Sequence, residues 1–253
     1  MCKIKNDFYK KNYEIMFCDI DEDYKCRVTS IMNFFTDISL GHGEAGGLNF
    51  LEETANGIAQ VYLDCSVKIN RYPMYREKLE ITTWVESMQK FYATRIYVAK
   101  DSKGEVVLEG KALAVTIDMN KRRLCKIPDR YYEIYCVERK DFEKPNRLTI
   151  DSITPIAAEK VFKIRNTDTD SNKHVNNVRY IEWALNTLDN EVLEGYEIEE
   201  IKIKFEKEMQ KEFDVKINAA LTKIENGYRS VYNFYNHLEE EVNIMEFKWR
   251  KRK

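Results

Sequence analysis

Hydrophobic positions recur along this chain at two different spacings. Val28, Ile31, Phe35 and Ile38 return every three or four residues, the signature of one buried helix face, and predict a helix from Val28 to Leu40. Gly41, Gly43, Gly46 and Gly47 follow and are expected to end it. The period then falls to two. IAQVYLDCSVKI, KLEITTWVES, FYATRIYVAK and VVLEGKALAVTID alternate and are rich in β-branched and aromatic residues, so each predicts a strand. Pro73 and Ser102-Lys103-Gly104 supply turns between them. Cys125 to Thr154 contains Pro128 and Pro145 and reads as a connection holding a short helix.

The same order then returns. AEKVFKIR predicts a strand, Val175, Val178, Ile181, Leu185 and Leu188 share one helix face, and EIEEIKIKFEKE, FDVKINAALTKI, YRSVYNFYNHL and VNIMEFKWRK predict four more strands. Strand, helix and several antiparallel strands, twice over, describe a duplicated α+β unit. The expected division is residues 1–135, a linker at 136–154 and residues 155–253. Setting Val28 against Val175 puts Asp21 and Asp23 opposite Asp168 and Asp170, Lys25 opposite Asn172 and Arg27 opposite His174. On that pairing the first copy keeps an acidic start but lacks the amide and imidazole of the second.

Composition narrows the function. With 43% hydrophobic residues, 16 Tyr and 12 Phe, the chain can build a sheet-rich core. A net charge of −2 argues against general nucleic-acid binding, although Lys121-Arg122-Arg123 with Lys126, and the final run Lys248-Trp249-Arg250-Lys251-Arg252-Lys253, are locally basic. Six cysteines without a C-x-x-C pair fit neither a zinc site nor a disulfide scaffold, so reduced thiols are expected. No apolar run of signal-peptide or membrane-spanning length is present, which predicts a cytoplasmic protein without membrane insertion.

One short stretch concentrates the chemistry. NTDTDSNKHVNN, from Asn166 to Asn177, holds one of only three histidines. Asp168, Asp170, Asn172 and His174 occupy every second position, so an extended chain would project them to one side. A helix start close by would offer free amides and the positive end of a dipole to an oxygen gaining negative charge, and a carboxylate could activate water. A merely capped helix start explains the same composition. The D-x-D-x-N run fails as a calcium loop, because counting from Asp168 the sixth position is Lys173 and the twelfth is Arg179. A zinc site would need further ligands near His174, and no cofactor or metal is expected.

NTDTDSNKHVNNVRYIEW resembles the D-x-D-x-N-x-H-V-N-N-x-x-Y signature of the acyl-acyl-carrier-protein thioesterases, plant plastid enzymes and their bacterial relatives. The tandem organisation and LEGYEIEEIKIKFEKEM extend the resemblance over nearly the whole chain. It implies a tandem (double) hotdog fold of class α+β, each unit a curved antiparallel sheet wrapped around a central helix. It also implies hydrolysis of fatty acyl-acyl-carrier-protein to a free fatty acid, with Asp170, Asn172, His174 and Glu208 as catalytic residues. Plant members have a cysteine after that glutamate; Met209 stands there in this chain, and a thioether is no nucleophile. Water activated by Asp170 and Glu208, with Asn172, His174 and helix N-terminal amides holding the oxyanion, is therefore the expected route.

The implied partner is an acidic acyl carrier protein, to be docked by Lys121, Arg122, Arg123 and Lys126 or by the final basic run. Leu40, Phe50, Leu51, Ile58 and Val61 are expected to line the acyl chain in the first unit, or else simply to be core, as are Trp84 and Trp183. The rival functions are a coenzyme A thioesterase, a hotdog dehydratase and a non-catalytic acyl-binding protein. A monomer and a homodimer both fit a chain that carries its own duplicate.

Overall fold

The computed structural model describes residues 8–139, 143–170, 174–189, 193–207, 209 and 213–252. The chain divides into two compact units, Met1–Arg147 and Leu148–Lys253. In the first unit the strands are β1 (Phe8–Glu14), β2 (Ile58–Ile69), β3 (Lys78–Gln89), β4 (Tyr92–Lys100), β5 (Val106–Asp118) and β6 (Arg123–Leu124). They pair antiparallel in the order β1-β3-β4-β5-β2, with β6 paired to β5. Register shifts at Tyr62/Asp64, Val85/Ser87 and Ala99/Lys100 bend this sheet.

Helix α1 (Val28–Ala45) lies against one face of that sheet. Val28, Ile31, Phe35 and Ile38 are all buried, as their spacing requires. The Phe35 ring stacks on Tyr97 of β4 at 4.5 Å, and a side chain at Gly110 of β5 would strike Phe35 at 2.6 Å. Glycine at 110 thus lets helix and sheet approach closely. The helix runs past the expected end at Leu40, through Gly41 and Gly43 to Ala45. Gly43 does not break it because that position is pressed between rings, where a Cβ would lie 2.7 Å from Phe50 and 2.8 Å from the Tyr135 hydroxyl. Two short helices follow, α2 (Phe50–Ala55) and α3 (Asp129–Ile134), the latter inside the predicted connection. Beyond α3, Arg147 donates to Asp64 Oδ1 at 2.8 Å and to the Leu63 carbonyl at 2.9 Å, fastening the connection to the bulge of β2.

The second unit contains β7 (Ile156–Phe162), α4 (Asn177–Leu185), β8 (Tyr196–Phe205), β9 (Val215–Ile224), β10 (Gly227–Tyr235) and β11 (Glu241–Lys251). Its strands pair in the order β7-β9-β10-β11-β8. Numbered within each unit, both sheets read 1-3-4-5-2, so the repeat seen in the sequence is a repeat of topology. Tyr180 of α4 packs edge-on to Phe205 of β8 at 6.0 Å and lies 5.7 Å from Phe234 of β10. Burial of side chains such as Ile181 and Phe234 contributes about 1.5–3 kcal/mol each. Trp183 is core, stacked on Phe162. On the sheet, Glu246 is flanked by Lys202 at 2.8 Å and by Arg229, which also donates to the Asp151 carbonyl at 2.6 Å.

Most of the final basic run lies in the predicted last strand: residues up to Lys251 belong to β11, Trp249 is buried and Arg250 pairs with Glu197 at 2.9 Å. One expectation needs correction, the reduced state of all the cysteines: Cys18, Cys26, Cys65 and Cys125 are free thiols, but Cys136 is disulfide-bonded.

Candidate active site

The polar stretch between β7 and α4 is a closed loop. It begins with one 3-10 turn, Asn166–Asp168, because the Asp168 carboxylate accepts from the Arg165 amide at 2.7 Å and from the Arg165 guanidinium at 3.1 Å. Asp168 is fully buried. Burial pushes its carboxyl up, but the bonds from Arg165 and the charges of Arg165 and Arg179 outweigh that and hold it below the usual range. The Asp168 carbonyl accepts from the Asn176 amide at 2.8 Å, and Thr169 bridges to Val175. Inside that ladder the Asp170 amide donates to the His174 carbonyl at 2.9 Å, and the His174 amide donates back to Asp170 Oδ1 at 3.4 Å. The backbones of Asp170 and His174 are therefore paired at the base of one loop, the first residue exposed and the second half-buried.

Helix α4 starts just beyond. Asn176 caps it, its side chain accepting from the Val178 amide at 3.0 Å and its carbonyl from the Arg179 amide at 2.9 Å. These two first-turn amides are engaged by the cap. Of the four expected catalytic residues, Asp170 and His174 are brought together. Asn172 and Glu208 lie outside the described residues. The chain leading to position 208 is fastened by the Glu206 and Lys207 amides, both donating to the Val242 carbonyl, and Met209 is buried.

The first unit contains the same loop. Phe17–Asp19 forms its 3-10 turn, the Met16 amide donates to Asp19 Oδ2 at 2.9 Å, and Ile20 bridges to Cys26. The Arg27 amide donates to the Asp19 carbonyl, the Asp21 amide to the Lys25 carbonyl and the Lys25 amide to Asp21 Oδ1 at 3.0 Å. Asp19 thus corresponds to Asp168, Asp21 to Asp170 and Lys25 to His174. The pairing of Val28 with Val175 was two residues out of register. Val28 is the first residue of its helix, whereas Val175 lies in the bridge before the cap, opposite Cys26. The first copy therefore retains the carboxylate of Asp170 and substitutes the imidazole by an ammonium, which lies 5.9 Å from the Tyr72 ring centroid.

The other expected residues fall in the first unit. Phe50, Ile58 and Val61 are half-buried, whereas Leu40 and Leu51 are 42% and 82% exposed. Lys121, Arg122, Arg123 and Lys126 are all exposed on the hairpin joining β5 to β6 and its continuation, with Lys121 paired to Asp118 at 3.2 Å. Sequence reasoning missed His42. It is completely buried on α1 with Nδ1 3.0 Å from Arg95 Nη1, and burial and the Arg95 charge push its pKa down to about 3. Its signal was legible, since Ile31, Phe35, Ile38 and His42 share one helix face.

No helix among the described residues is long and apolar enough to cross a membrane. The architecture is a tandem hotdog, with the D-x-D-x-N-x-H loop leading into the helix of the second unit. The chain belongs to the acyl-ACP thioesterase family: residues 6–135 match the acyl-ACP thioesterase N-terminal domain and residues 154–251 the C-terminal domain. An acyl-[acyl-carrier-protein] hydrolase of Cuphea viscosissima is 26% identical over 93% of this chain, and a palmitoyl-acyl carrier protein thioesterase of Cuphea hookeriana is 27% identical over 96%. Both relatives are chloroplastic, and the chain spans only 60% and 62% of their lengths. The solved 12:0-ACP thioesterase of Umbellularia californica superposes with a TM-score of 0.85 at 20% identity, covering 98% of this chain and 96% of its own. An acyl-ACP thioesterase from Bacteroides thetaiotaomicron gives 0.80 at 19% identity, covering 99% and 100%.

Proposed function

We propose that this protein hydrolyses the thioester of fatty acyl-acyl-carrier-protein and releases the free fatty acid. Family membership supports the reaction class, and the reciprocal backbone pairing that brings Asp170 and His174 to the base of one loop is the observation that supports the site. Asp170 and Glu208 orient and deprotonate the attacking water, and Asn172 and His174 hold the tetrahedral oxyanion. Water adds to the thioester carbonyl, the tetrahedral intermediate collapses, and the carrier thiol leaves with a proton. Met209 leaves no nucleophilic sulfur after Glu208, so no acyl-cysteine forms at that position.

The first unit, with Lys25 where the second has His174, takes the acyl chain. Phe50, Ile58 and Val61 are better placed to line it than the more exposed Leu40 and Leu51. The exposed cations Lys121, Arg122, Arg123 and Lys126 steer an acidic carrier protein. The test is to incubate the purified protein with carrier-linked and coenzyme A-linked acyl chains of graded length and to measure the released acids. Release from the carrier form at higher kcat/KM supports the reading. Preference for coenzyme A esters would replace it with a coenzyme A thioesterase, and no release from either would leave an acyl-binding protein.

A further inference from the structure

We propose that Arg165 and Arg179 are positioning residues for the hydrolysis, clamping Asp168 from both sides so that the loop holds Asp170 and His174 in one arrangement. The proposal rests on the thioester-hydrolase reading and adds two cations to its site.

One carboxylate ties the two ends of the loop. Arg165, where the chain enters it, donates to Asp168 Oδ1 from Nη2 at 3.1 Å and to Oδ2 from Nε at 3.3 Å, beside its amide bond at 2.7 Å. Arg179, in the first turn of α4, brings Nε to 3.7 Å from the same Oδ1. Glu182, one turn further on, accepts from Arg179 Nη1 at 2.5 Å and orients that guanidinium. Asp168 is fully buried between the two cations. Its carbonyl meanwhile receives the Asn176 amide, the first rung of the ladder that ends at Asp170 and His174. Hydrogen bonds between ionised partners are roughly twice as strong as neutral ones, so this carboxylate fixes the ladder against both flanks.

The first copy closes the same loop without cations. Under the correspondence of Asp19 with Asp168, Arg165 falls on Met16, Arg179 on Ser30 and Glu182 on Asn33. Asp19 is half-buried, its carboxylate accepts from the Met16 amide, and no cation pairs with it among the described residues. Even so, the Arg27 amide reaches the Asp19 carbonyl at 2.8 Å and the Asp21 amide reaches the Lys25 carbonyl at 2.9 Å, the same ladder as in the second copy. The two arginines and the glutamate thus accompany the imidazole rather than the closure. Holding reacting groups in register is where such a clamp tells, because a displacement of about 1 Å can cost about 100-fold in rate.

Arg165→Met and Arg179→Ser give the second loop the residues of the first. Exchange of the Asp170, His174 and Asn176 amides, followed by NMR on the full chain, reads the clamp without turnover. In each variant these amides should exchange at least about 10-fold faster, while the Asp21, Lys25 and Arg27 amides of the same molecule stay unchanged. With an acyl-carrier substrate, kcat should fall about 10-fold and KM stay within about twofold. Arg179→Lys, which keeps a charge beside Asp168, should recover most of the lost kcat. If Arg165→Met does not fold, Arg179→Ser decides the matter, its guanidinium being the more distant from the carboxylate. Unchanged exchange, faster exchange with kcat intact, or a loss carried by KM overturns the proposal. So does an Arg179→Lys variant no better than Arg179→Ser. A native protein that hydrolyses no thioester sinks the hydrolase reading itself, and the positioning role with it.

Discussion

The Asp170 amide donates to the His174 carbonyl at 2.9 Å while the His174 amide donates back to the Asp170 carboxylate at 3.4 Å. The same reciprocal pair joins Asp21 and Lys25, so two loops of one design carry different side chains at the second position. The backbone work of the aspartate and its proposed chemistry can therefore be separated by substitution.

Asp170→Asn keeps the Oδ1 that accepts from the His174 amide and removes the charge proposed to activate water. Turnover of acyl-carrier substrates should fall about 100-fold or more with KM little changed. Asp21→Asn, the same exchange in the first loop, should leave turnover within about twofold, as a control for general loop effects. Steady-state kinetics on both variants provide the check, and equal losses would remove Asp170 from the chemistry.

Asp168 is an anchor. Asp168→Ala leaves the Arg165 amide unpaired and removes a fully buried carboxylate held by two arginines, so unfolding should become easier by about 3 kcal/mol. Asp19→Ala removes the corresponding bond to the Met16 amide at a less buried position and should cost about 1 kcal/mol. Urea denaturation of the two variants ranks them, and the reverse order would contradict this account.

Acid should weaken the fold through His42 before it weakens it through carboxylates. The His42 pKa is near 3 when folded against 6.5 as the ordinary value, so between those limits the unfolded chain holds a proton that the native one does not. Stability from this residue is fully present above about pH 6.5 and declines as pH falls, by about 2 kcal/mol at pH 5. Arg95 is the charge facing the ring, which packs against the Tyr9 and Tyr135 rings. The lowered carboxyls of Glu246 and Asp168 add their loss as pH falls below their ordinary values of 4.5 and 3.8. Denaturant midpoints from pH 7 to 5 should show a slope in the native protein that flattens in His42→Phe.

Salt separates docking from chemistry. If the exposed hairpin cations steer an acidic carrier, raising ionic strength should lower kcat/KM for carrier-linked substrates and barely touch short soluble thioesters. Replacing Lys121, Arg122, Arg123 and Lys126 by Ala together should reproduce most of that loss at low salt. Equal salt sensitivity for both substrate types would discard this surface.

Much of the fold was legible because burial enforces a period. The segments read as strands between Ile58 and Asp118, and again from Tyr196 onward, alternate because each sheet has one covered face. Strand β1 was not legible: FYKKNYE is an edge strand with charged residues along its length. The register between copies was misread for a related reason. Apolar residues were aligned on apolar residues, but Val175 belongs to the loop bridge and Val28 to the helix, so hydrogen bonding, which leaves little trace in hydropathy, sets the correspondence. Asp170 and His174 were found through a long motif. His42 was passed over because a histidine on an apolar face has no motif, only a phase.

The paired closures have an evolutionary consequence. In each unit the aspartates that shape the turn are distinct from the position opened to imidazole or ammonium, so a mutation at the variable position spares the framework. A tandem chain of this kind can retire one reactive centre and let that copy drift toward ligand selection, with selection for foldability still acting on both halves.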